Sequence, residues 1–245
     1  MAPVGGFLHE GRAYALLAAA GLRVPRHGFL GAEALPFAPG EAVVLKGIAD
    51  GLWHKSDRGA VHFGPFDAQA LGVEVEAMRQ RVADLPWIGG LVCERVAFQR
   101  LPGLPTEALV SLKRDLEAGW LVVLGVGGLQ ADAWAALAPP LIWPLAFTTP
   151  EQALAELREH WLGRTWLGRQ RGTAALTDEA NLLAFLRGLW RATEGLEAAA
   201  VTLLELNPVV LDDLGRPTAL DGVGTLGAAP RPPPLRRIPP GTRPC

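Results

Sequence analysis

Residues 54–59 combine four kinds of reactive or charged side chain in one short segment. The segment is His-Lys-Ser-Asp-Arg-Gly, so an imidazole, an ammonium, a hydroxyl and a carboxylate precede the glycine. The neutral imidazole of His54 could accept a phosphoryl group as a nucleophile, and the carboxylate of Asp57 could orient it. Histidine also titrates near neutral pH and could act as an acid or a base. A solvated polar turn often has this composition, so the segment alone favours neither interpretation.

A lysine ends a short β-branched run at residues 41–46, which reads Glu-Ala-Val-Val-Leu-Lys. The run predicts a strand, and Lys46 would extend beyond the edge of its sheet. There the ammonium could act as a point charge on a nucleotide phosphate. Alternatively, the lysine stem packs on the sheet while its charged end stays in water.

Oxygen ligands are predicted near the end of the chain. Glu205-Leu206-Asn207-Pro208 lies in a predicted strand, and Asp221 follows on a returning strand after a polar turn. Such a hairpin can bring Asn207 and Asp221 side by side on one face. An amide and a carboxylate oxygen suit Mg²⁺, which takes one or two protein oxygens together with phosphates. Without further context, a strand end and a simple turn are the favoured interpretation of these residues.

Glycines at residues 125–128 (Gly-Val-Gly-Gly) follow another predicted strand. Glycine allows backbone N–H groups to approach an anion closely. The turn lacks the Gly-Lys-Ser/Thr ending of a Walker A motif, and no dinucleotide-binding fingerprint follows it. By itself it is a weak signal.

Alternating helices and strands must position these groups. Hydrophobic periodicity and capping residues predict four helices, at residues 7–20, 67–82, 150–161 and 177–193. Apolar and β-branched runs predict seven strands, at residues 41–46, 60–63, 91–98, 107–113, 120–124, 201–211 and 218–221. This order of elements indicates an α/β or α+β fold.

Composition excludes several classes of protein. The formal net charge of −2 gives no reason to expect a nucleic acid or an anionic membrane as a partner. No apolar run approaches the ~20 residues that span a bilayer, and the N-terminus does not resemble a signal peptide. Two cysteines cannot form a disulfide scaffold, which favours a reducing, cytoplasmic location. Seven prolines and four arginines at residues 229–245 predict a disordered tail.

The order of these motifs resembles the ATP-grasp part of ADP-forming acetate or acyl-CoA synthetases. It is also similar to the nucleotide-binding half of the succinyl-CoA synthetase β subunit. The resemblance covers residues 7–227 and implies an ATP-grasp fold, in which ATP lies between two α/β lobes. It further implies an N-terminal helix at residues 1–23, a smaller lobe at residues 24–105 and a larger lobe at residues 106–228.

The resemblance also implies roles for individual residues. Lys46 matches a lysine that contacts ATP phosphates, Glu94 a hinge residue beside the adenine, and Glu107 an acid that meets the ribose. His54 resembles a histidine proposed in this family to carry phosphate between the two halves of the enzyme, and Arg171 lies in a late Arg-Gly near the phosphates. The complete set of implied site residues is catalytic His54, Asp57 and Arg171; nucleotide-binding Lys46, Gly59, Glu94, Glu107, Gly127 and Gly128; and Mg²⁺ ligands Asn207, Asp221 and Glu205.

The implied function is the ATP-binding component of an ADP-forming acyl-CoA synthetase that moves phosphate between ATP/ADP and an acyl phosphate through phosphohistidine. The sequence contains no segment that reads as a CoA-binding domain. We therefore expect an α-type partner chain that binds CoA, with the acyl-CoA or carboxylate at the shared interface.

Two other functions remain open. The family usually has glycines where Ala60 and Ser111 stand and an arginine near Leu141. These departures suggest a degenerate module that binds ATP without turnover, in which His54 would not be phosphorylated. An ATP-grasp carboxylate–amine ligase would share the lysine and the metal ligands but would not need His54.

Overall fold

The computed structural model describes residues 6–32, 34–128, 131, 134 and 136–227. These residues form two antiparallel β-sheets with helices packed against them, which confirms the predicted α+β class. The tail at residues 229–245, for which we predict disorder, lies outside the described residues. Within the described part of the chain, no helix has the length and apolar character needed to cross a bilayer.

The helices and strands are numbered in chain order. They are β1 (Phe7–Leu8), α1 (Glu10–Ala19), β2 (His27–Phe29), β3 (Ala42–Ala49), β4 (Val61–Pro65), α2 (Ala68–Arg81), β5 (Trp87–Glu94), β6 (Ala108–Asp115), β7 (Gly119–Val126), β8 (Leu141–Pro144), α3 (Pro150–Glu159), α4 (Trp161–Trp166), α5 (Glu179–Ala198), β9 (Val201–Leu211), β10 (Pro217–Ala219) and β11 (Val223–Leu226).

The smaller sheet has four strands in the order β2-β5-β3-β4. One face of β3 carries Val43 and Leu45, which pack with Leu71 and Met78 of α2 in a separate apolar core. α2 begins where the side chain of Asp67 accepts hydrogen bonds from two backbone N–H groups of the first turn. The opposite face of β3, which includes Lys46, is therefore turned away from α2.

The larger sheet has the order β1-β11-β9-β6-β7-β8, and β10 also pairs with β9. Its apolar side chains share the main core with α3 and α5. Both helices have the N-terminal caps that the sequence predicts. Thr149 and Gln152 form a capping box on α3, and Asp178 accepts a hydrogen bond from the backbone of α5.

The first helix connects the two sheets. β1 pairs with β11 at the edge of the larger sheet, and α1 follows directly. Tyr14 and Leu17 of α1 belong to the same buried core as Leu91 of the smaller sheet. The backbone of α1 approaches that sheet closely, because a Cβ at Gly11 would lie 3.2 Å from the ring of Phe29. Side chains of α1 can thus reach the space between the sheets.

Several element boundaries differ from the prediction. Residues 7–8 form a strand rather than the first turn of a helix, because β11 pairs with them. The strand at Lys46 continues to Ala49, since β5 pairs with its last residues. The predicted helix at residues 150–161 breaks at His160, whose extended backbone ends α3 and whose side chain caps α4. The short strands β2, β8 and β11 and the short helix α4 are not predicted from the sequence. The predicted lobe boundaries remain predictions.

Candidate functional site

Four charged side chains meet between the two sheets, and we call them the charge cluster: Glu10, Lys46, Lys55 and Asp221. The Nζ atom of Lys55 lies 2.7 Å from Oδ1 and 3.0 Å from Oδ2 of Asp221, and 3.1 Å from Oε2 of Glu10. Lys46 donates hydrogen bonds to Oε1 of Glu10 and to the carbonyl oxygen of Leu220. Glu10 is fully buried, and the side chain of Lys55 is only 3% exposed. The cluster therefore contains two cations and two carboxylates, all held by ion pairs.

The surroundings of the charge cluster change the pKa values of its members. Burial disfavours the charged carboxylate of Glu10, but Lys46 and Lys55 outweigh that effect and lower its pKa to about 2. Lys46 is also buried, yet Glu10 and Asp221 raise its pKa above the ordinary value. The pKa of Asp221 is raised, because burial and the charge of Glu10 outweigh the two lysines. Glu10 is thus the more firmly ionised carboxylate of the two.

The strand register places Asn207 opposite Asp221. On β9, Glu205 pairs with Val223 and Val209 pairs with Ala219, so Asn207 and Asp221 lie midway between these pairs. Glu205, the third predicted ligand, lies two residues before Asn207 and faces the same side of the sheet. This register agrees with the side-by-side arrangement of Asn207 and Asp221 that the sequence allows, although Asp221 itself lies just beyond β10.

The oxygen donors of this hairpin fit Mg²⁺ bound together with phosphates. Among the described residues, no group of three or more His, Cys, Asp or Glu side chains could hold a metal ion alone. Asn207 and Asp221 offer one amide oxygen and one carboxylate. Mg²⁺ typically takes only one or two ligands from the protein when phosphates and water complete its coordination shell. Both are engaged here, since Asp221 binds Lys55 and Oδ1 of Asn207 accepts a hydrogen bond from the Gly128 N–H at 3.0 Å.

The glycine-rich turn borders a cleft of about 350 Å³ next to Glu107. The N–H of Gly127 donates to the carbonyl oxygen of Glu107 at 2.8 Å, and Gly128 donates to Asn207. We expected such backbone N–H groups to face an anion, but both donate within the protein. The side chain of Glu107 also pairs with Arg100, at 3.3 Å. The turn thus fixes Glu107 and Asn207 in place.

Close packing at Gly127 leads to a test of stability. A Cβ at this position would lie 2.4 Å from the backbone carbon of Ala108, so Gly127→Ala must displace strand β6. We expect urea unfolding to show a loss of about 2 kcal/mol. Gly72→Ala is the matched control, because Gly72 lies within α2 and a Cβ added there would have no atom within 4 Å. That variant should gain about 0.5–1 kcal/mol, and equal effects at both sites would contradict the packing argument.

His54 is exposed and lies beside the buried Lys55. The preceding ring of Trp53 packs edge-on against Phe7 of β1, with ring centroids 5.3 Å apart, so this loop contacts the larger sheet. Within the described part of the chain, no hydrogen bond joins His54 to Asp57, and the idea that Asp57 orients the imidazole finds no support in the geometry. Gly59 ends the segment with a positive φ of 60°.

Two further predicted site residues, Glu94 and Arg171, form no hydrogen bond or ion pair with the charge cluster among the described residues. Glu94 ends β5 and accepts hydrogen bonds from the backbone and side chain of Arg26. Arg171 is exposed in the turn after α4, and no contact between described residues joins it to the charge cluster. The roles assigned to Glu94 and Arg171 remain predictions.

Glu10 and Lys55 have no role among the residues predicted from the sequence. Lys55 lies within the His-Lys-Ser-Asp segment, where the imidazole of His54 is the more reactive group. A signal for Glu10 is present in the sequence, because Glu10 lies on a helix face whose other buried members, Ala13, Tyr14 and Leu17, are hydrophobic. A carboxylate on a buried helical face needs a cationic partner.

Comparison with known proteins establishes the family. A family model described as an ATP-grasp domain matches residues 4–226, most of the chain. The chain belongs to the ATP-grasp domain family. This confirms the predicted ATP-grasp fold and the resemblance that the motifs indicated.

Individual relatives agree with this assignment. Trans-feruloyl-CoA synthase FCS1, from an unknown prokaryotic organism, is 28% identical over an alignment of 239 residues that covers 92% of this chain. The chain spans only 30% of the length of that relative. The crystal structure of PH1788 from Pyrococcus horikoshii matches with a TM-score of 0.69 and 20% identity, covering 92% of this chain and 93% of that one.

A third match is acetyl-coenzyme A synthetase 1 of Candidatus Korarchaeum cryptofilum, in complex with coenzyme A and Mg-AMPPCP and with its phosphohistidine segment pointing towards the nucleotide binding site. The TM-score is 0.61 at 23% identity, and the match covers 90% of this chain and 92% of that chain. Because these two solved structures are only 20% and 23% identical to this chain, the likeness supports the fold and gives no conclusion about activity.

Proposed function

We propose that this chain is the nucleotide-binding component of an ADP-forming acyl-CoA synthetase. The overall reaction would be acyl-CoA + ADP + phosphate ⇌ carboxylate + CoA + ATP. The chain would move the phosphoryl group between an acyl phosphate and the nucleotide, with ATP/ADP and Mg²⁺ as cofactors. FCS1 and the Korarchaeum protein, both named as enzymes that form CoA thioesters, support this choice within the ATP-grasp family.

The observation that carries the proposal is the hydrogen bond from Lys46 to the carbonyl oxygen of Leu220. This contact brings the lysine of the smaller sheet next to Asp221, whose strand neighbour is Asn207. An ammonium group and two oxygen donors of the kind that bind Mg²⁺ therefore lie close together between the sheets, although they come from distant parts of the chain. Phosphoryl transfer depends mainly on such positioning and on neutralisation of phosphate charge.

The residues would divide the reaction between them. Lys46 would neutralise phosphate oxygens, and Asn207 and Asp221 would hold Mg²⁺, which supplies further neutralisation when bound. A ring nitrogen of His54 would form a bond to phosphorus while the bond from phosphorus to the acyl oxygen breaks and the carboxylate leaves. A terminal oxygen of ADP would then attack the same phosphorus, and the imidazole would leave as ATP forms. The exposed position of His54 suits a group that meets both substrates.

A partner chain would complete the enzyme. We propose an α-type chain that binds CoA, with the carboxylate or acyl-CoA at the interface between the chains. The coenzyme A bound in the Korarchaeum structure and the greater length of FCS1 are consistent with a larger assembly.

Labelling with γ-³²P-ATP and Mg²⁺ tests the proposal. We expect acid-labile, alkali-stable phosphate on the wild-type chain and a loss of at least about 100-fold in labelling for His54→Asn, since no other group replaces the nucleophile. His62→Asn is the matched control, because His62 lies on β4 and should not affect labelling.

The other outcomes point to the two remaining functions. Nucleotide binding without any label on His54 would indicate a degenerate binding module. Label-free turnover that joins a carboxylate to an amine, unaffected by His54→Asn, would indicate a carboxylate–amine ligase. Either result would overturn the phosphohistidine proposal.

A further inference from the structure

We propose that Lys55 and a divalent cation exchange at Asp221, and that Lys55 then turns to Glu10 and to the phosphate of the nucleotide. Lys55 would thus be a phosphate-binding residue that occupies the metal position while the nucleotide is absent, and Glu10 would position it. This inference rests on the proposed Mg²⁺–nucleotide site, and its test requires no phosphoryl transfer.

Lys55 and a divalent cation would compete for Asp221 in the arrangement described. The ammonium of Lys55 lies within 3.0 Å of both carboxylate oxygens, so it occupies the side of Asp221 that faces the charge cluster. A divalent ion bound to the same oxygens would lie beside a positive charge with little water between them. The repulsion between the two positive charges therefore favours departure of Lys55 when the metal binds.

Glu10 can bind the ammonium group of Lys55 once it leaves Asp221. Its Oε2 atom is buried and accepts no hydrogen bond from any described residue. The Nζ atom of Lys55 already lies 3.1 Å from Oε2, close enough for an ion pair but without hydrogen-bond geometry. A small rotation of the lysine side chain would turn this contact into a hydrogen bond, and the remaining N–H donors could reach a phosphate.

The exchange also alters the charge balance of the site. With Lys55 on Asp221, two ammonium groups face two carboxylates, and no cation is left over for a phosphate. Once a metal neutralises Asp221, Lys46 and Lys55 share only Glu10, and the surplus positive charge favours an anion. The metal would thus prepare the site for the nucleotide by releasing a lysine.

The movement is confined to the side chain. The carbonyl oxygen of Lys55 accepts a hydrogen bond from the N–H of Ala60 at 2.8 Å, and Trp53 packs against Phe7. These contacts hold the backbone on both sides of Lys55. His54 would therefore keep its place while the neighbouring ammonium reaches the phosphoryl group that His54 receives.

Mn²⁺ binding, followed by electron paramagnetic resonance without nucleotide, tests the exchange. Mn²⁺ stands in for Mg²⁺, because both take carboxylate and amide oxygens. Lys55→Gln removes the competing cation, and we expect Mn²⁺ affinity to rise about tenfold or more. Lys55→Arg keeps the charge and should retain the wild-type affinity, and Asp221→Asn should abolish binding. Unchanged or weaker Mn²⁺ binding by Lys55→Gln, or equal tightening by Lys55→Arg, would overturn the proposal.

A second measurement separates this role from a structural one. Lys55→Gln should weaken the binding of Mg-AMPPCP by about tenfold, whereas it should tighten the binding of Mn²⁺ in the absence of nucleotide. A variant that merely folds poorly would weaken both, and that result would also overturn the exchange. If His54 is never phosphorylated but these opposite shifts occur, the exchange stands and the proposed function fails.

Discussion

Replacing Glu10 by glutamine should lower the free energy of unfolding by about 3 kcal/mol or more. The variant keeps the shape of the side chain but leaves Lys46 and Lys55 buried with only Asp221 as a carboxylate partner. Removal of one partner from a buried ion pair typically costs about 3–5 kcal/mol, because the remaining charge loses both water and its partner. Urea unfolding near pH 7 measures the change.

The control for this variant is Glu76→Gln. Glu76 pairs with Arg79 on the exposed surface of α2, and surface ion pairs contribute about 1 kcal/mol or less. If the two substitutions lower the free energy of unfolding by the same amount, the ion pairs of Glu10 do not stabilise the charge cluster.

The effect of Glu10→Gln should also depend on pH. The pKa of Glu10 falls from its ordinary value of 4.5 in the unfolded chain to about 2 in the folded protein. The stability contributed by this carboxylate is therefore fully present above about pH 4.5 and is lost as the pH falls toward 2. The difference in the free energy of unfolding between the wild type and Glu10→Gln should therefore become smaller as the pH falls from 4.5 toward 2. A constant difference from pH 7 to pH 3 would contradict the lowered pKa of Glu10.

Asp221→Asn should weaken the binding of Mg-nucleotide by about 100-fold, or ~2.7 kcal/mol, with little loss of stability. The substitution removes the charged metal ligand and leaves an amide of the same shape. Its effect on folding should stay within about 1 kcal/mol, because Glu10, the carboxylate that pairs with both buried lysines, stays in place. The raised pKa of Asp221 also shows that burial favours the neutral form at this position. Titration calorimetry with Mg-ADP measures the loss.

Asp84→Asn is the control for the binding experiment. Asp84 is an exposed carboxylate outside the charge cluster. It pairs with Arg58, which lies four residues after His54 in the sequence. Its replacement should leave nucleotide affinity unchanged. Wild-type affinity in Asp221→Asn would show that the metal ligand lies elsewhere.

The elements with strong local signals could be predicted from the sequence. Asp67, Thr149 and Asp178 begin helices through their own side chains, and the apolar run at residues 201–211 matches β9 at both ends. Local propensity suffices in these cases because the stabilising contact lies within a few residues.

Features that depend on distant partners could not be predicted in the same way. Phe7 and Leu8 have helical periodicity with the residues that follow, but pairing with β11 makes them a strand. The sequence placed Lys46 and Asp221 at one site through the order of the motifs, and the structure brings them together. The helical pattern of α1 indicates that Glu10 needs a cationic partner, but it does not show which one, because the partner Lys46 lies more than thirty residues away.

The charge cluster draws its members from both ends of the described chain, and this affects how the protein folds during synthesis. Tyr14 and Leu220, which meet at the cluster, are separated by 206 residues. A ribosome adds about 5–20 residues per second, so α1 waits for on the order of ten seconds or longer before Asp221 and β11 emerge. The four-stranded sheet is complete once β5 has been made, but at that stage Lys46 and Lys55 have only Glu10 as a carboxylate partner. Closure of the phosphate site is therefore among the last events of folding, and an interrupted chain could form the smaller sheet without forming that site.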